Sequence, residues 1–326
     1  MAAVDTVRGP VDSADLGPTL MHEHIFVLTP ELVANYPEDW DEERGAEEAV
    51  AKLRSLHQLG VRTLVDPTVV GLGRYIPRIQ RVAAQVDINI VVATGLYTYN
   101  DIPFRFHYAG PGTMTGGDDP LVDYFVKDIT EGILDTGVKA AFLKCAIDEP
   151  GLTPGVERVM RAVAVAHRRT GAPITVHTHP ASHSGLEVQR VLGEEGVDLS
   201  RVVMGHSGDS TDLDYLKRLA DAGSLLGMDR FGIDVLLPFE DRVATVSRLC
   251  ADGYADKMVL SQDASCYIDW FPNRMLAEFT PNWHYEHIHH DVLPALRDRG
   301  VTDEQIDTML VRNPRWYFET RGLGPY

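Results

Sequence analysis

Cysteine and basic residues are scarce in this chain of 326 residues. Its three cysteines, Cys145, Cys250 and Cys266, are scattered without paired spacing, which argues against a disulfide framework and favours reduced thiols in a cytosol. The 30 lysines and arginines are outnumbered by 48 aspartates and glutamates, so the net charge is −18. Binding to nucleic acid or to an anionic membrane needs positive charge, so this composition argues against both partners.

Long hydrophobic runs and targeting signals are lacking as well. The N-terminal stretch MAAVDTVRGPVDSADLG has neither the basic start nor the apolar core of a secretory signal. No run approaches the ~20 apolar residues that cross a bilayer. We therefore expect a soluble, cytoplasmic protein. The composition, 44% hydrophobic and 24% charged, is ordinary for a globular protein, and no linker divides it, so we expect one domain over residues 1–326.

Short apolar runs rich in β-branched residues alternate with helical patterns along the whole chain. Eight of these runs predict strands, and they occupy positions 19–27, 61–69, 88–97, 139–147, 172–179, 201–209, 224–231 and 257–264. Several helical segments between them end in glycine, which suits the position just after a helix. Eight alternating units predict an α/β fold, the (β/α)8 or TIM barrel. A doubly wound open sheet is the alternative, but no glycine-rich phosphate loop follows the first strand.

Two histidines interrupt the first apolar run, in the motif MHEHIFV. Side chains alternate along a strand, so His22 and His24 point to one face while Glu23 points to the other. Two imidazoles on one face can bind a metal ion, or they can be buried histidines bonded to neighbouring groups. Taken alone, such a pair is more often structural.

Other polar residues lie near the carboxyl ends of later predicted strands, namely Lys144, His177, His206 and Asp263. In a barrel these ends form one ring, where active sites are built. Each histidine alone could be a hydrogen-bonded barrel residue, and Asp263 could cap the next helix. Lys144 is harder to explain, because an unpaired ammonium in an apolar strand is costly; it must be paired, lowered in pKa, or chemically altered.

Taken together, these side chains predict a metal centre. Four histidines and one aspartate suit Zn²⁺ or a related divalent ion, and Fe, Co and Mn tolerate the same ligands. They are too many for one tetrahedral ion, so we expect two. Two ions need a bridging anion, and carboxylation by CO₂ would convert Lys144 into a carbamate with two oxygen donors.

The ordered motifs MHEHIF, FLKCAID, VHTHP, GHSGDS and SQDASCYIDW resemble those of the phosphotriesterase-like lactonases of the amidohydrolase superfamily. The resemblance extends along essentially the whole chain. It implies that three residues hold one metal ion, two hold the other, and a carboxylated lysine and a hydroxide bridge them. These residues are His22, His24 and Asp263 for the first ion, His177 and His206 for the second, and Lys144 for the bridge.

The same resemblance assigns residues to the substrate pocket. Tyr97 matches a family tyrosine beside the metals, Arg230 an arginine on the loop after the seventh strand, and Trp270 an aromatic on the loop after the eighth. Where many relatives have two adjacent cysteines after the aspartate, this chain has Ser265 and Cys266, so Ser265 could alter the pocket wall. His179 shares a face with His177 and is a less favoured candidate for the same ligand position.

The implied function is hydrolysis of lactones, most of all N-acyl-homoserine lactones, which would make the protein a quorum-quenching enzyme with weaker phosphotriesterase activity. Asp263 is expected to move the proton, with Tyr97 and Arg230 beside the reacting atoms. Apolar residues in GIDVLLPF and IDWFPNRML predict a groove for an acyl tail. A dedicated phosphotriesterase is the main alternative, and a Schiff-base aldolase using Lys144 is a remote one.

Two surface features complete the expectations. The segment HYEHIHHD opens the last helical region and contains four histidines, at positions 284, 287, 289 and 290. It lies far from the ring in a simple barrel, so we interpret it as a solvated or dimer-contact surface. Aromatic-rich loop and helix surfaces on a barrel of this size favour a homodimer.

Overall fold

The computed structural model describes residues 2–320, apart from the side chains of Asn273 and Arg274. Its strands are β1 (Ala3–Val4), β2 (Val11–Asp12), β3 (Thr19–Leu20), β4 (His24–Val27), β5 (Thr63–Asp66), β6 (Asn89–Gly95), β7 (Phe142–Ala146), β8 (Ile174–His177), β9 (Val202–Gly205), β10 (Leu225–Met228), β11 (Met258–Leu260) and β12 (Ser265–Ile268).

The helices lie mostly between these strands. The α-helices are α1 (Pro30–Asn35), α2 (Glu42–Gln58), α3 (Ile76–Ala83), α4 (Pro120–Thr130), α5 (Pro154–Thr170), α6 (Ser184–Glu194), α7 (Leu213–Asp221), α8 (Phe239–Ala251), α9 (Asn273–Phe279), α10 (Leu293–Asp298), α11 (Asp303–Asp307) and α12 (Asn313–Glu319). Short 3₁₀ turns cover Ser13–Asp15, Pro37–Asp39, Phe104–His107, Pro180–Ser182, Leu199–Arg201, Ser207–Asp209 and Ala255–Lys257, and π-helical turns cover Ile288–Val292 and Thr308–Arg312. None of the helices in residues 2–320 has both the length and the apolar character needed to cross a bilayer.

Eight strands pair side by side in the order β3-β5-β6-β7-β8-β9-β10-β11, and every pairing is parallel. β4 continues the first strand and pairs in parallel with β12, which continues the last. Backbone hydrogen bonds from Met21 to Leu260 (3.5 Å) and from His24 to Ala264 (2.8 Å) join the first strand to the last. The predicted (β/α)8 barrel is therefore confirmed.

Side chains of β7 alternate between the inside of the barrel and the helix layer. Phe142 belongs to the cluster of apolar residues inside the barrel, together with Val203 and Val259 from other strands. Leu143 and Cys145 belong to the larger cluster between strands and helices. The period-2 geometry places Lys144 on the inner face, one step beyond Phe142 toward the carboxyl end of the barrel.

α5 shows how local sequence sets the helix bounds. Thr153 caps its N-terminus by accepting a hydrogen bond from the Val156 amide, and Pro154 occupies the first helical position. Gly171 follows the helix with a φ of 71°, which a residue with a Cβ rarely adopts. The glycine predicted to end this helix is confirmed.

The first and last barrel strands are broken where the sequence predicts continuous ones. The predicted strand 19–27 splits into β3 and β4, and the predicted strand 257–264 ends at Leu260, before β12 begins. Asp263 has a φ of 55°, in the left-handed region that no strand contains. The prediction of continuous strands was wrong because the backbone turns at these two breaks, where the Glu23 side chain bonds to Ser261, Gln262 and Ala264.

Glu23 connects the break in the first barrel strand to the break in the last one through hydrogen bonds. Its buried carboxylate accepts hydrogen bonds from the Ser261 hydroxyl (2.9 Å), from the backbone and side-chain amides of Gln262 (2.8 and 3.0 Å) and from the Ala264 amide (2.8 Å). Burial raises the pKa of Glu23 to about 8, although the four donors act to lower it. Glu23 thus closes the barrel at the break between β3 and β4, where His22 lies and after which His24 begins β4.

Replacing Glu23 with alanine is expected to lower the free energy of unfolding by about 3 kcal/mol or more. The change leaves four donors in the core without an acceptor, and each unsatisfied buried donor costs about 1–3 kcal/mol. Urea unfolding at neutral pH would measure the loss. Glu47→Ala, an exposed change on α2, is the matched control. A Glu23→Ala protein as stable as Glu47→Ala would contradict this role.

Candidate metal centre

The predicted metal-site residues converge at the carboxyl ends of the barrel strands. They surround the floor of one cavity of about 600 Å³, and they are His22, His24, Lys144, His177, His206 and Asp263. Lys144 lies within β7, His177 ends β8, and His206 directly follows β9. The fold therefore brings together residues that are up to 241 positions apart, counting from His22 to Asp263.

In the first pair of histidines, each ring uses one nitrogen for support and turns the other toward the centre. His22 Nδ1 lies 2.9 Å from Asp229 Oδ2, and His24 Nδ1 lies 2.7 Å from Thr68 Oγ1. Their Nε2 atoms lie 3.5 and 3.2 Å from the same oxygen of Asp263, Oδ1. Support on Nδ1 fixes the ring orientation and leaves Nε2 available as a ligand.

In the second pair each ring also has one supported nitrogen, but His177 is supported through Nε2 and His206 through Nδ1. His206 Nδ1 lies 2.9 Å from Asp229 Oδ1, and His177 Nε2 lies 2.9 Å from Asp148 Oδ2. The two remaining nitrogens, His206 Nε2 and His177 Nδ1, lie 2.9 Å apart. Asp229 therefore supports one ring of each pair, and its two oxygens connect the two halves of the site.

The spacing of the inward atoms fits a metal ion. Ligands about 2.0–2.2 Å from a tetrahedral zinc ion lie about 3.3–3.6 Å from one another. Asp263 Oδ1 lies 3.5 Å from His22 Nε2 and 3.2 Å from His24 Nε2, close to this spacing, and the three residues form one of the groups able to hold an ion in residues 2–320. Burial lowers the pKa of His177 to about 4 and that of His206 well below its usual value. Both rings are therefore neutral, the form that coordinates a metal.

Lys144 is buried among these groups, with Nζ 3.3 Å from His22 Nε2. Burial lowers the pKa of this amine to about 8. A lowered pKa is one of the three outcomes expected for a lysine in an apolar strand. The amine lies beside His22 of the first pair and interacts electrostatically with His177 of the second.

Two residues of the centre have strained backbones. His206 has a φ of 66° and Asp263 a φ of 55°, in the left-handed region that non-glycine residues avoid. Such a conformation costs roughly 1–2 kcal/mol per residue and persists only where the surroundings impose it. In both residues it turns the side chain away from the strand direction and into the ring of ligands.

Arg230 pairs with the Asp263 oxygen that is not shared by His22 and His24 Nε2. Arg230 Nε donates to Asp263 Oδ2 at 3.0 Å, and Arg230 Nη1 donates to Asp209 at 3.1 Å. Burial acts to raise the pKa of Asp263, but a hydrogen bond from His24 and the charge of the Arg230 guanidinium act to lower it, and the pKa lies well below its usual value. Asp263 is therefore an anion whose two oxygens have different partners.

Tyr97 lies at the rim of the same site. Its hydroxyl donates to Asp148 Oδ2 at 3.2 Å, and its ring lies 5.3 Å from that of His177 and 6.3 Å from that of Trp270. Burial raises the pKa of Tyr97, so the hydroxyl keeps its proton. Ser265 and Trp270 line the cavity, as the sequence predicts.

The rest of the cavity wall is apolar. It comprises Val27, Leu72, Ile233, Val235, Leu236, Ile268, Phe271, Met275, Leu276, Phe279 and Trp283. The two segments that the sequence predicts as an acyl groove both contribute to it. The cavity therefore combines a polar, charged floor with a wide apolar wall, which is typical of a small-molecule site.

Two expectations about histidines are settled by position. His179 lies outside the cavity lining and bonds Ser182 Oγ at 3.0 Å, so it does not replace His177 in the ring. The prediction of a solvated histidine cluster holds for His284 and His290 but was wrong for His287, which is 2% exposed. Its ring lies 5.4 Å from that of Phe239, and Asp291 bonds it.

Sequence reasoning missed the residues that support the ligands. Asp229 directly follows β10, and Asp148 lies just beyond β7. Both follow the signal already used for the ligands, a polar residue at the carboxyl end of a strand. Asp66 and Thr68 were missed as well; the Thr68 hydroxyl donates to Asp66 at 2.5 Å and so accepts from His24.

A family model described as the phosphotriesterase family matches residues 2–318. The chain belongs to the phosphotriesterase family. Members of this family are metal-dependent hydrolases with binuclear centres, so the resemblance seen in the sequence is confirmed at the level of family and enzyme class.

Individual members of the phosphotriesterase family agree with this assignment. The chain is 62% identical to a phosphotriesterase homology protein of Mycobacterium tuberculosis over 99% of both proteins. It is 41% identical to an aryldialkylphosphatase of Saccharolobus solfataricus, over 95% of this chain and 98% of that protein. A solved structure of the phosphotriesterase from M. tuberculosis superposes with a TM-score of 0.97 at 62% identity, covering 98% of this chain and 99% of that one.

Proposed function

We propose that this chain hydrolyses lactones, most of all N-acyl-homoserine lactones, and cleaves phosphotriesters more slowly. The observation that carries the proposal is the wide apolar wall beside the polar floor of the cavity. A lactone ring with an apolar acyl tail has the same division into a polar and an apolar part. Hydrolysis would open the ring to a hydroxy acid and so remove an acyl-homoserine lactone signal.

The donor set supports a pair of divalent ions, with zinc the first candidate and Fe, Co and Mn the others. In this proposal His22, His24 and Asp263 would hold one ion and His177 and His206 the other. The Lys144 amine would add CO₂ and release a proton, and the resulting carbamate would supply oxygen ligands. Bound divalent ions supply Lewis-acid activation of water and of a carbonyl oxygen.

The chain's own residues would bind the lactone and move the proton. Asp263 would accept a proton from the attacking water and return it to the ring oxygen as the C–O bond breaks. Arg230, which donates to Asp263 Oδ2 at 3.0 Å, would keep that carboxylate in place. The Tyr97 hydroxyl would donate a hydrogen bond to the carbonyl oxygen as negative charge develops there.

A dedicated phosphotriesterase is the second candidate. It is favoured by the 41% identity to a protein named aryldialkylphosphatase. The same groups could direct water at a tetrahedral phosphorus, so both activities fit one site. The Schiff-base aldolase has less support, because the Lys144 amine lies 3.3 Å from His22 Nε2, inside the cluster of metal-type ligands.

The ratio of two catalytic efficiencies tests this proposal. We expect kcat/KM for N-decanoyl-homoserine lactone to exceed that for paraoxon by about a hundredfold or more, a ratio within reach of differential transition-state binding. Both assays would be run on metal-loaded protein, with chelator-treated protein as the control. A higher efficiency for paraoxon would instead establish a dedicated phosphotriesterase, and no lactone turnover at all would refute the proposal.

Two further expectations stay predictions. A homodimer is supported by exposed apolar side chains on the loop between β6 and α4, where Phe104 is 74% and Met114 85% exposed. The cytoplasmic location rests on the sequence composition alone.

A further inference from the structure

Arg242 is a buried arginine on α8 that does not line the cavity. Its side chain is 1% exposed, which makes it one of the largest fully buried residues of the described chain. Burying a guanidinium is costly unless its N–H groups find acceptors, so its contacts reveal what it holds in place. All of those contacts go to the two loops that border the cavity.

One half of the Arg242 guanidinium anchors the loop after β10. Nε donates to the Leu237 carbonyl at 3.1 Å, and Nη2 donates to the Ile233 carbonyl at 3.2 Å. Between these two anchors lie Val235 and Leu236, which line the cavity yet are 61% and 58% exposed. Little packing holds these two side chains, so their position depends on the two Arg242 anchors together with the bond from Asn282 to Asp234 (2.9 Å).

The other half reaches the catalytic floor through an aspartate. Arg242 Nη1 donates to the Gly208 carbonyl at 2.8 Å and to Asp209 Oδ1 at 2.6 Å. The second oxygen of Asp209 accepts from Arg230 at 3.1 Å, and Arg230 in turn donates to Asp263. A continuous chain of charged groups therefore joins α8 to the carboxylate proposed to move the proton.

This arrangement needs an arginine. A guanidinium presents five donors in a planar fork and can bond several acceptors in fixed directions. A lysine would keep the charge, but its single ammonium cannot span carbonyls of two loops and a carboxylate at once.

We propose that Arg242 is a positioning residue that shapes the apolar wall for the acyl tail and holds Arg230 on Asp263 through Asp209. The part concerning the acyl tail rests on the proposed lactonase function. The part concerning loop order stands on the geometry alone.

Arg242→Lys tests whether Arg242 shapes the apolar wall. We expect KM for N-decanoyl-homoserine lactone to rise by about tenfold, as two hydrogen bonds that order the wall are lost. KM for the N-butanoyl compound should change less than twofold, roughly the effect of a neutral surface change, because its short tail does not reach Val235 and Leu236. Arg248→Lys, at an exposed position on the same helix, is the matched control.

Asp209→Asn tests whether Arg242 holds Arg230 on Asp263 through Asp209. It leaves the two loop carbonyls bonded to Arg242, removes the charge shared between Arg242 and Arg230, and replaces one of the two acceptor oxygens with a donor. We expect kcat to fall for both lactones while the ratio of their KM values stays at the parent value. Metal content should equal that of the parent in both variants, so that the effects are not those of a lost ion.

Hydrogen–deuterium exchange supplies a readout that needs no substrate. Peptides covering residues 230–238 should exchange faster in Arg242→Lys than in the parent and in Arg248→Lys. Unchanged exchange together with an unchanged KM ratio would overturn the inference. A parent that opens no lactone would refute the proposed function instead, and exchange would then decide on Arg242. If Arg242→Lys does not fold, unchanged kcat in Asp209→Asn overturns the link to Asp263.

Discussion

Replacing Lys144 with alanine is expected to strip metal from the protein and to lower kcat/KM for lactone hydrolysis by about a thousandfold or more. Divalent ions contribute several kcal/mol of transition-state stabilisation, and each ~1.4 kcal/mol corresponds to a factor of ten in rate. Lys144 lies beside the first pair of histidines, with Nζ 3.3 Å from His22 Nε2. Removing it takes away the proposed bridge.

Two further variants serve as comparisons for Lys144→Ala. Lys144→Glu supplies a carboxylate without carbamate formation, so it should retain more metal than Lys144→Ala. Lys217→Ala removes a lysine from an exposed ion pair with Asp252 and should leave metal content and activity unchanged. Metal is measured per chain by inductively coupled plasma mass spectrometry. An active Lys144→Ala protein with its full metal content would rule out the bridge.

Replacing Asp229 with alanine is expected to weaken metal binding and activity by about 10–100-fold, the usual effect of losing a group that orients metal ligands. Its two oxygens bond His22 Nδ1 and His206 Nδ1, each at 2.9 Å, and the carboxylate also accepts from the His206 amide at 2.7 Å. One substitution therefore releases a ring from each half of the centre and leaves the His206 amide without its acceptor.

The matched variant is Asp229→Asn, which keeps the size of the side chain but replaces one acceptor oxygen with a donor. It can support one imidazole in its present tautomer and not the other, so its metal affinity should lie between those of the parent and Asp229→Ala. Affinity is measured by competition with a chromogenic chelator. If both variants bound metal as tightly as the parent, Asp229 would have no role in orienting the rings.

The fold could be predicted from the sequence because the alternation of strands and helices is a local signal repeated eight times. The ring of ligands followed from the same alternation, since a barrel brings strand ends together whatever lies between them. The break in the first strand could not be predicted. It depends on Glu23 bonding to residues 238–241 positions away, and no local pattern in MHEHIFV records those partners.

The residues that support the ligands also differ in whether a local sequence signal marks them. Asp229 and Asp148 follow strand ends, which is the signal that marks the ligands themselves. Arg242 lies in a helix with ordinary amphipathic spacing, and its bonds to the loop carbonyls at Ile233 and Leu237 depend on loop conformation, which sequence patterns do not specify. His287 was assigned to the surface because a cluster of histidines near a helix is usually solvated, whereas in the structure its ring is buried against Phe239.

The measurement that tests the central claim most directly is a metal titration of the chelator-treated parent protein, followed by lactone hydrolysis after each addition. The proposed centre predicts that activity rises until two equivalents of Zn²⁺ are bound per chain and then levels off. Full activity at one equivalent, or lactone hydrolysis that persists without added metal, would contradict a pair of ions held by the four histidines, Asp263 and Lys144.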